Sequence, residues 1–262
     1  MSSAGRGRSE QMENPVLNRG LTRGRLPQLV AVVAVVGVLG LSGCGSSSST
    51  AASSAAPSPS TNGIAALTAD QALTKAKDTA KVQKSVHVAG KVTNGGQTMA
   101  LDLHLQKGAP GYGSITVAGS TVQIVTTTTD VYMKADKAFW TNLGSAAAAE
   151  AVGGRWVKAP ASNASFKGLV DFTNFDVAVA EILKPTGTLT KGTEGTVNGQ
   201  PALPLKDSTG GQLWIATTGD PLPIQIDGEK AGEMVAFSDW NAAVTVPVPA
   251  AADTVDFTKL GG

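Results

Sequence analysis

The sequence is poor in the side chains that most chemistry requires. One cysteine in 262 residues excludes an internal disulfide and a cysteine-based structural zinc site. Only two histidines occur, His87 and His104, and both fall in stretches read below as strands. Neither has a neighbour at a recognised metal-ligand spacing, so no metal and no cofactor is expected. Charged residues make up 16% of the chain and the net charge is +1, which excludes a nucleic-acid binder held by bulk charge. No G-x-S-x-G elbow, S-x-x-K pair, phosphate loop or H-E-x-x-H helix occurs, so the expectation is a protein that is not an enzyme. Asp171 and Asp176 flank Phe172 and Phe175, but carboxylates beside a helix start more often favour its positive end than form an acid/base pair. Aromatics are also scarce, at 5%. What remains is 42% hydrophobic, with 31 glycines: enough for one domain of ordinary size built from small side chains.

The amino terminus reads as an address. Arg6, Arg8, Arg19, Arg23 and Arg25 precede an apolar run from Leu29 to Leu41, the charged-then-apolar order of an export signal. As a helix that run rises roughly 20 Å against roughly 30 Å of bilayer core, so cleavage is favoured over an uncleaved anchor. Leu41-Ser42-Gly43-Cys44 then resembles the lipobox of bacterial lipoproteins. Its small residues let a signal peptidase reach the bond, and the thiol takes a diacylglyceryl group as a thioether. Residues 1–43 are thus expected to be a lipoprotein signal peptide, and Cys44 the site of lipid attachment. Two or three chains such as palmitate hold a protein stably where one does not. The expected location is the extracytoplasmic face of the plasma membrane. With no twin-arginine pair before the run, the general secretory route is expected.

Residues 44–63, rich in Ser and Ala with Pro57 and Pro59, read as a flexible tether with a mean span of roughly 25 Å. A single domain is expected over residues 64–262. Thr68 and Gln71 form a capping box for a helix over 68–83, whose inward stripe is mostly alanine. From Ser85 the period changes to two. Asn94-Gly95-Gly96 supplies a hairpin turn, and Met99, Leu101, Leu103 and Leu105 alternate with polar residues. Further strands are expected over 112–118, 121–128 and 131–135, then two short helices over 145–152 and 175–183. Strands resume over 188–194, 195–205, 211–218, 222–227 and 233–240. This order predicts an α+β fold with one long curved antiparallel sheet and helices gathered on one side. The large rings, including Trp140, Trp156, Phe166, Phe172 and Phe175, cluster in the helical middle. They form either a small core there or part of the wall of an apolar cavity under the sheet.

Several short motifs carry a resemblance. Val131-Tyr132-Met133-Lys134 precedes Phe139-Trp140 and Gly154-Arg155-Trp156-Val157-Lys158, and Gly195-Thr196-Val197-Asn198-Gly199-Gln200 leads into an alternating strand. Gly219-Asp220-Pro221-Leu222-Pro223 and Val235-Ala236-Phe237-Ser238-Asp239-Trp240 follow. With the lipobox and the long meander, the chain resembles the LppX/LprA/LprF/LprG family of actinobacterial lipoproteins over residues 68 to 257. The resemblance implies an open half-barrel like that of the LolA-type lipoprotein carriers, with helices on the concave side enclosing a hydrophobic cavity. It also implies binding of acylated lipids or glycolipids in the cell envelope, and their transfer with an envelope transporter as partner.

The apolar register offers Met99, Leu101, Leu103, Leu105, Ile115, Val117, Val122 and Ile124 as cavity lining, with Trp140, Phe172, Phe175 and Leu183 from the helical layer. Burying acyl chains there would contribute about 0.8 kcal/mol per methylene, with the headgroup left at the mouth. Two other readings stay open: a noncatalytic scaffold or interaction lipoprotein with a filled core, and an envelope sensor using the same cavity.

Overall fold

The computed structural model describes residues 60–94, 96–143 and 146–260. The expected export signal, Cys44 and the expected tether up to residue 59 lie outside them. Order is already established at Asn62, whose amide donates to the carbonyls of Ala216 and Gly219 and whose backbone N–H donates to Thr217.

The first helix, α1 (Ala69–Lys81), starts where its cap predicts. Thr68 Oγ1 accepts from the Gln71 N–H and Gln71 Oε1 accepts from the Thr68 N–H, so both donors of the capping box are satisfied. Ala72, Leu73, Ala76 and Ala80 face inward. A stripe this small lets the helix axis lie close to whatever it covers.

Two meanders follow. The first is β1 (Ser85–Asn94), β2 (Gln97–Gln106), β3 (Tyr112–Val117), β4 (Ser120–Thr126), β5 (Asp130–Lys134) and β6 (Trp156–Pro160), with α2 (Lys137–Leu143) and α3 (Ala146–Val152) inserted before β6. After it come α4 (Lys167–Phe172) and α5 (Phe175–Ile182). The second meander is β7 (Leu189–Lys191), β8 (Gly195–Val197), β9 (Gln200–Asp207), β10 (Gln212–Ala216), β11 (Pro223–Asp227) and β12 (Met234–Ser238). A last short strand, β13 (Thr254–Asp256), adds parallel to β6.

All thirteen strands belong to one sheet, in the order β13-β6-β5-β4-β3-β2-β1-β12-β11-β10-β9-β7, with β8 beside β9. Every pairing except β13 with β6 is antiparallel and the sheet does not close on itself, so the fold is α+β with an open antiparallel sheet. The two meanders meet at a seam where β1 pairs with β12.

Alternation puts one face of every long strand inside. A single cross-strand row runs through the sheet: Leu205, Leu213, Ile226, Val235, Gly90, Leu101, Ile115 and Val122 are successive register partners. That inner face, α1, α5 and Trp140 of α2 share one hydrophobic core. The outer face is more polar, with a small cluster of Val197, Ala202, Ala216 and Ile224 against Trp214 at one end and buried Val125 and Tyr132 on the first meander.

Three kinds of feature differ from the sequence-based expectation. The stretch 195–205 is two strands, because Asn198 and Gly199 both take positive φ (50° and 79°) and turn the chain between them. An Asn-Gly pair is a strong hairpin signal. Strands β6 and β13 were not expected, the first hidden in a helical neighbourhood and the second three residues long. Helices α2 and α4 are also additional, at seven and six residues, too short to show a period. Among the described residues no helix is long and apolar enough to cross a membrane.

Candidate functional site

A cleft of about 430 Å³ opens on the inner face of the second meander. Its floor is the half-row Leu205, Leu213, Ile226 and Val235, contributed by β9, β10, β11 and β12. Its roof is Leu73 of α1 with Ile182 and Leu183 at the end of α5, and Leu189 and Val92 close the sides. The volume falls within the roughly 300–1,000 Å³ of small-molecule sites.

The rim is charged with both signs, through Lys91, Lys184, Lys230, Asp207, Glu229 and Glu233. Asp207 shapes the rim rather than facing a ligand. One carboxylate oxygen accepts from the N–H groups of Thr186 and Gly187, both at 2.9 Å. The other accepts from the Thr209 N–H at 2.9 Å and hydroxyl at 2.8 Å. Burial would raise this carboxyl, but the bonds from Thr209, Gly187 and Thr186 overcome it and hold the pKa down to about 2. The segment after α5 is thereby pinned beside the cleft.

The twelve lining positions expected from the sequence lie mostly elsewhere. Leu183 alone lines the cleft. Leu101, Leu103, Leu105, Ile115, Val122 and Ile124 occupy the expected inner face of the first meander, where they are buried in the packed core with Trp140 and Phe175. Met99 and Val117 sit half-buried at the strand ends near the β2–β3 pairing, and Phe172 on α4 is 38% exposed. The inner face of the first meander is therefore buried in the core, and the cleft opens over the second meander, between α1 and the end of α5. The aromatics form core contacts: Phe166 meets Phe257 edge to face, and Phe139 meets Trp140 in the same way. The indole N–H of Trp140 is buried without a hydrogen-bond partner among the described residues. Cys44 lies outside those residues.

The cleft's own lining was visible in part. Leu205, Leu213, Ile226 and Val235 all stand at alternating positions in the expected late strands. What the sequence did not supply was α1's position over them.

The two histidines lie in strands, as expected, and face each other. In the structure His87 and His104 are register partners on β1 and β2, and Asp102 lies between their ring nitrogens. The signal was in the hairpin: counting back along both strands from Asn94 opposite Gln97 brings His87 opposite His104. Their neighbours are across the ladder rather than along the chain. Burial in the stack, then the adjacent His87, pushes the His104 pKa down, against the opposing pull of Asp102 and Asp239.

No family model matches the chain. No curated protein matches it either. Among solved structures it is similar to an uncharacterized conserved protein from Thermus thermophilus, with 13% identity and a TM-score of 0.36, over 72% of this chain and 98% of that one. It is also similar to a LolA superfamily protein from Nitrosomonas europaea, with 13% identity and a TM-score of 0.25, over 68% of this chain and 95% of that one.

Proposed function

We propose that the protein is a noncatalytic, membrane-anchored lipoprotein that binds an acylated lipid in the cleft between α1 and the second meander. The observation that carries this reading is the cleft itself, a space of about 430 Å³ floored by Leu205, Leu213, Ile226 and Val235. An apolar floor and roof favour hydrocarbon, and each methylene removed from water contributes about 0.8 kcal/mol. Ten methylenes contribute about 8 kcal/mol before ordering costs. The charged rim suits a polar headgroup left at the mouth.

The lipobox supplies the rest. Acylation at Cys44 would hold the chain on the extracytoplasmic face of the plasma membrane, with the cleft within tether reach of the membrane surface. Removing residues 1–43 takes away five Arg and two Glu, so the net charge of +1 becomes −2 and leaves attachment to the acyl chains rather than to basic attraction. Handing a glycolipid on to an envelope transporter is the finer form of this reading.

The experiment is native mass spectrometry and organic extraction of the full chain purified from its membrane, beside a Leu213→Trp variant. Wild type is expected to carry acyl lipid, and the Trp side chain, placed on the cleft floor, to remove at least nine-tenths of it. A wild-type chain that never carries lipid would overturn the reading in favour of a scaffold with an unoccupied groove.

A further inference from the structure

On the outer face of the sheet, away from the lipid cleft, three side chains converge that lie on the two most extensively paired strands. His87 Nε2 is 2.8 Å from Asp102 Oδ1, and His104 Nε2 is 3.8 Å from the same oxygen. The three ligand-type atoms all lie within 4.8 Å of one another. The rings of His87 and His104 are parallel, 4.2 Å apart, and Tyr112 stacks on the far side of His104 at 4.6 Å.

We propose that His87, Asp102 and His104 form a binding site for a divalent transition cation of the zinc, copper or nickel type.

Spacing is the first argument. Ligand atoms about 2.0–2.1 Å from a shared tetrahedral ion stand about 3.3 Å apart; the two nitrogen-to-carboxylate distances are 2.8 and 3.8 Å, and all three ligand atoms lie within 4.8 Å of one another. The rings stack in parallel planes, so His87 keeps its contacts to Ser238 and Asp239 while His104 and the exposed Asp102 side chain reorient to bring their ligand atoms to one ion, and the ring torsion of histidine is soft.

The support behind the ligands is the second argument. A metal-bound histidine usually has its other nitrogen held by a carboxylate or hydroxyl, which fixes the ring and the ligating atom. His87 has this arrangement: its Nδ1 is 3.2 Å from Ser238 Oγ and 3.6 Å from Asp239 Oδ2, both contributed by the far side of the β1–β12 seam. Nε2 is thereby left to face Asp102 and His104.

Access and selectivity follow from placement. The side chains of His87, Asp102 and His104 are 23%, 60% and 33% exposed, so an ion reaches them from solvent and keeps water in its remaining position. Two imidazoles and one carboxylate suit borderline transition ions, whereas calcium and magnesium prefer a shell of oxygens.

The test uses the full chain, stripped with a chelator and titrated with Zn²⁺, Ca²⁺ and Co²⁺. Expected are one saturable Zn²⁺ per chain, visible d–d absorption with Co²⁺, and no saturation with Ca²⁺. His87→Gln and His104→Gln should each weaken Zn²⁺ at least tenfold with unchanged far-ultraviolet circular dichroism. Asp239→Asn should weaken it about tenfold through His87 alone. Cys44→Ser should leave it unchanged. Absence of saturable Zn²⁺ binding, equal binding of Ca²⁺, survival in the double histidine variant, or loss with Cys44→Ser would each overturn the proposal. None of these outcomes bears on lipid in the cleft.

Discussion

The two meanders are built from the same alternation and share one inward row, yet the cleft of about 430 Å³ has its floor on the second. In the first, Leu101, Ile115 and Val122 are at most 7% exposed and lie in the continuous core with Trp140 and Phe175. In the second, Leu205, Leu213 and Val235 belong to the same core and, with the partly buried Ile226, also floor a cleft. The difference lies in the cover. Aromatic side chains of the middle helices, Trp140 and Phe175 among them, pack on the first half, while the second half is covered by Leu73 among the alanines of α1 and by Ile182 and Leu183 at the end of α5. A helix with an alanine stripe sits close along one line and leaves space beside it. Packing density is thus set here by the lid, not by the strands.

That contrast can be broken at several points. Leu105, fully buried in the filled half, is expected to lose about 4 kcal/mol on replacement by Ala, read as a shift in the denaturant midpoint at constant slope. At the seam, a Cβ on Gly90 would fall 2.0 Å from the Met234 carbonyl oxygen and 2.6 Å from the Val235 Cα. Gly90→Ala is expected to cost about 3 kcal/mol and to loosen both halves together, with hydrogen exchange rising on β1 and β12. Leu213→Ala should cost only about 2 kcal/mol, because one side of that leucine already lacks partner atoms and little new cavity is created. A loss equal to that of Leu105→Ala would mean that the two halves pack alike.

The smallest effect sharpens the rim. Asp207 has its folded pKa lowered from 3.8 to about 2, so its contribution is fully present above pH 4 and fades as pH falls through about 2. Asp207→Asn is expected to cost about 1 kcal/mol at pH 7, the value of a charged, partly solvated hydrogen-bond set. The variant and wild type should converge as the pH approaches 2, measured by urea unfolding at a series of pH values.

Much of this architecture was readable beforehand, for physical reasons. A capping box is local, and so are a two-residue glycine turn and an alternating leucine strand; Thr68, Gly96 and Leu101 to Leu105 accordingly stand where the sequence placed them. The seam is not local. Nothing near Val88 or Phe237 says that these two residues pair, and the cleft exists only because β12 returns to β1. The choice of the first meander as the lining followed the larger side chains, but large side chains with large partners fill space. Strands of three residues, and helices of six or seven, carry too few periods to stand out. The histidine pair shows the opposite failure: its register was implied by the hairpin, but metal-site reading follows spacing along a chain and overlooks partners across a ladder.

The return of β12 to β1 has a kinetic side. Most strands within each meander pair with the next in sequence, across short turns or at most about 30 residues, so their ladders close at modest entropic expense. Val88 and Phe237, by contrast, are separated by most of the domain and wait for nearly the whole chain to be synthesised. Joining of the halves is then the late, slow step of folding, with the open edges of two partial sheets exposed until it happens.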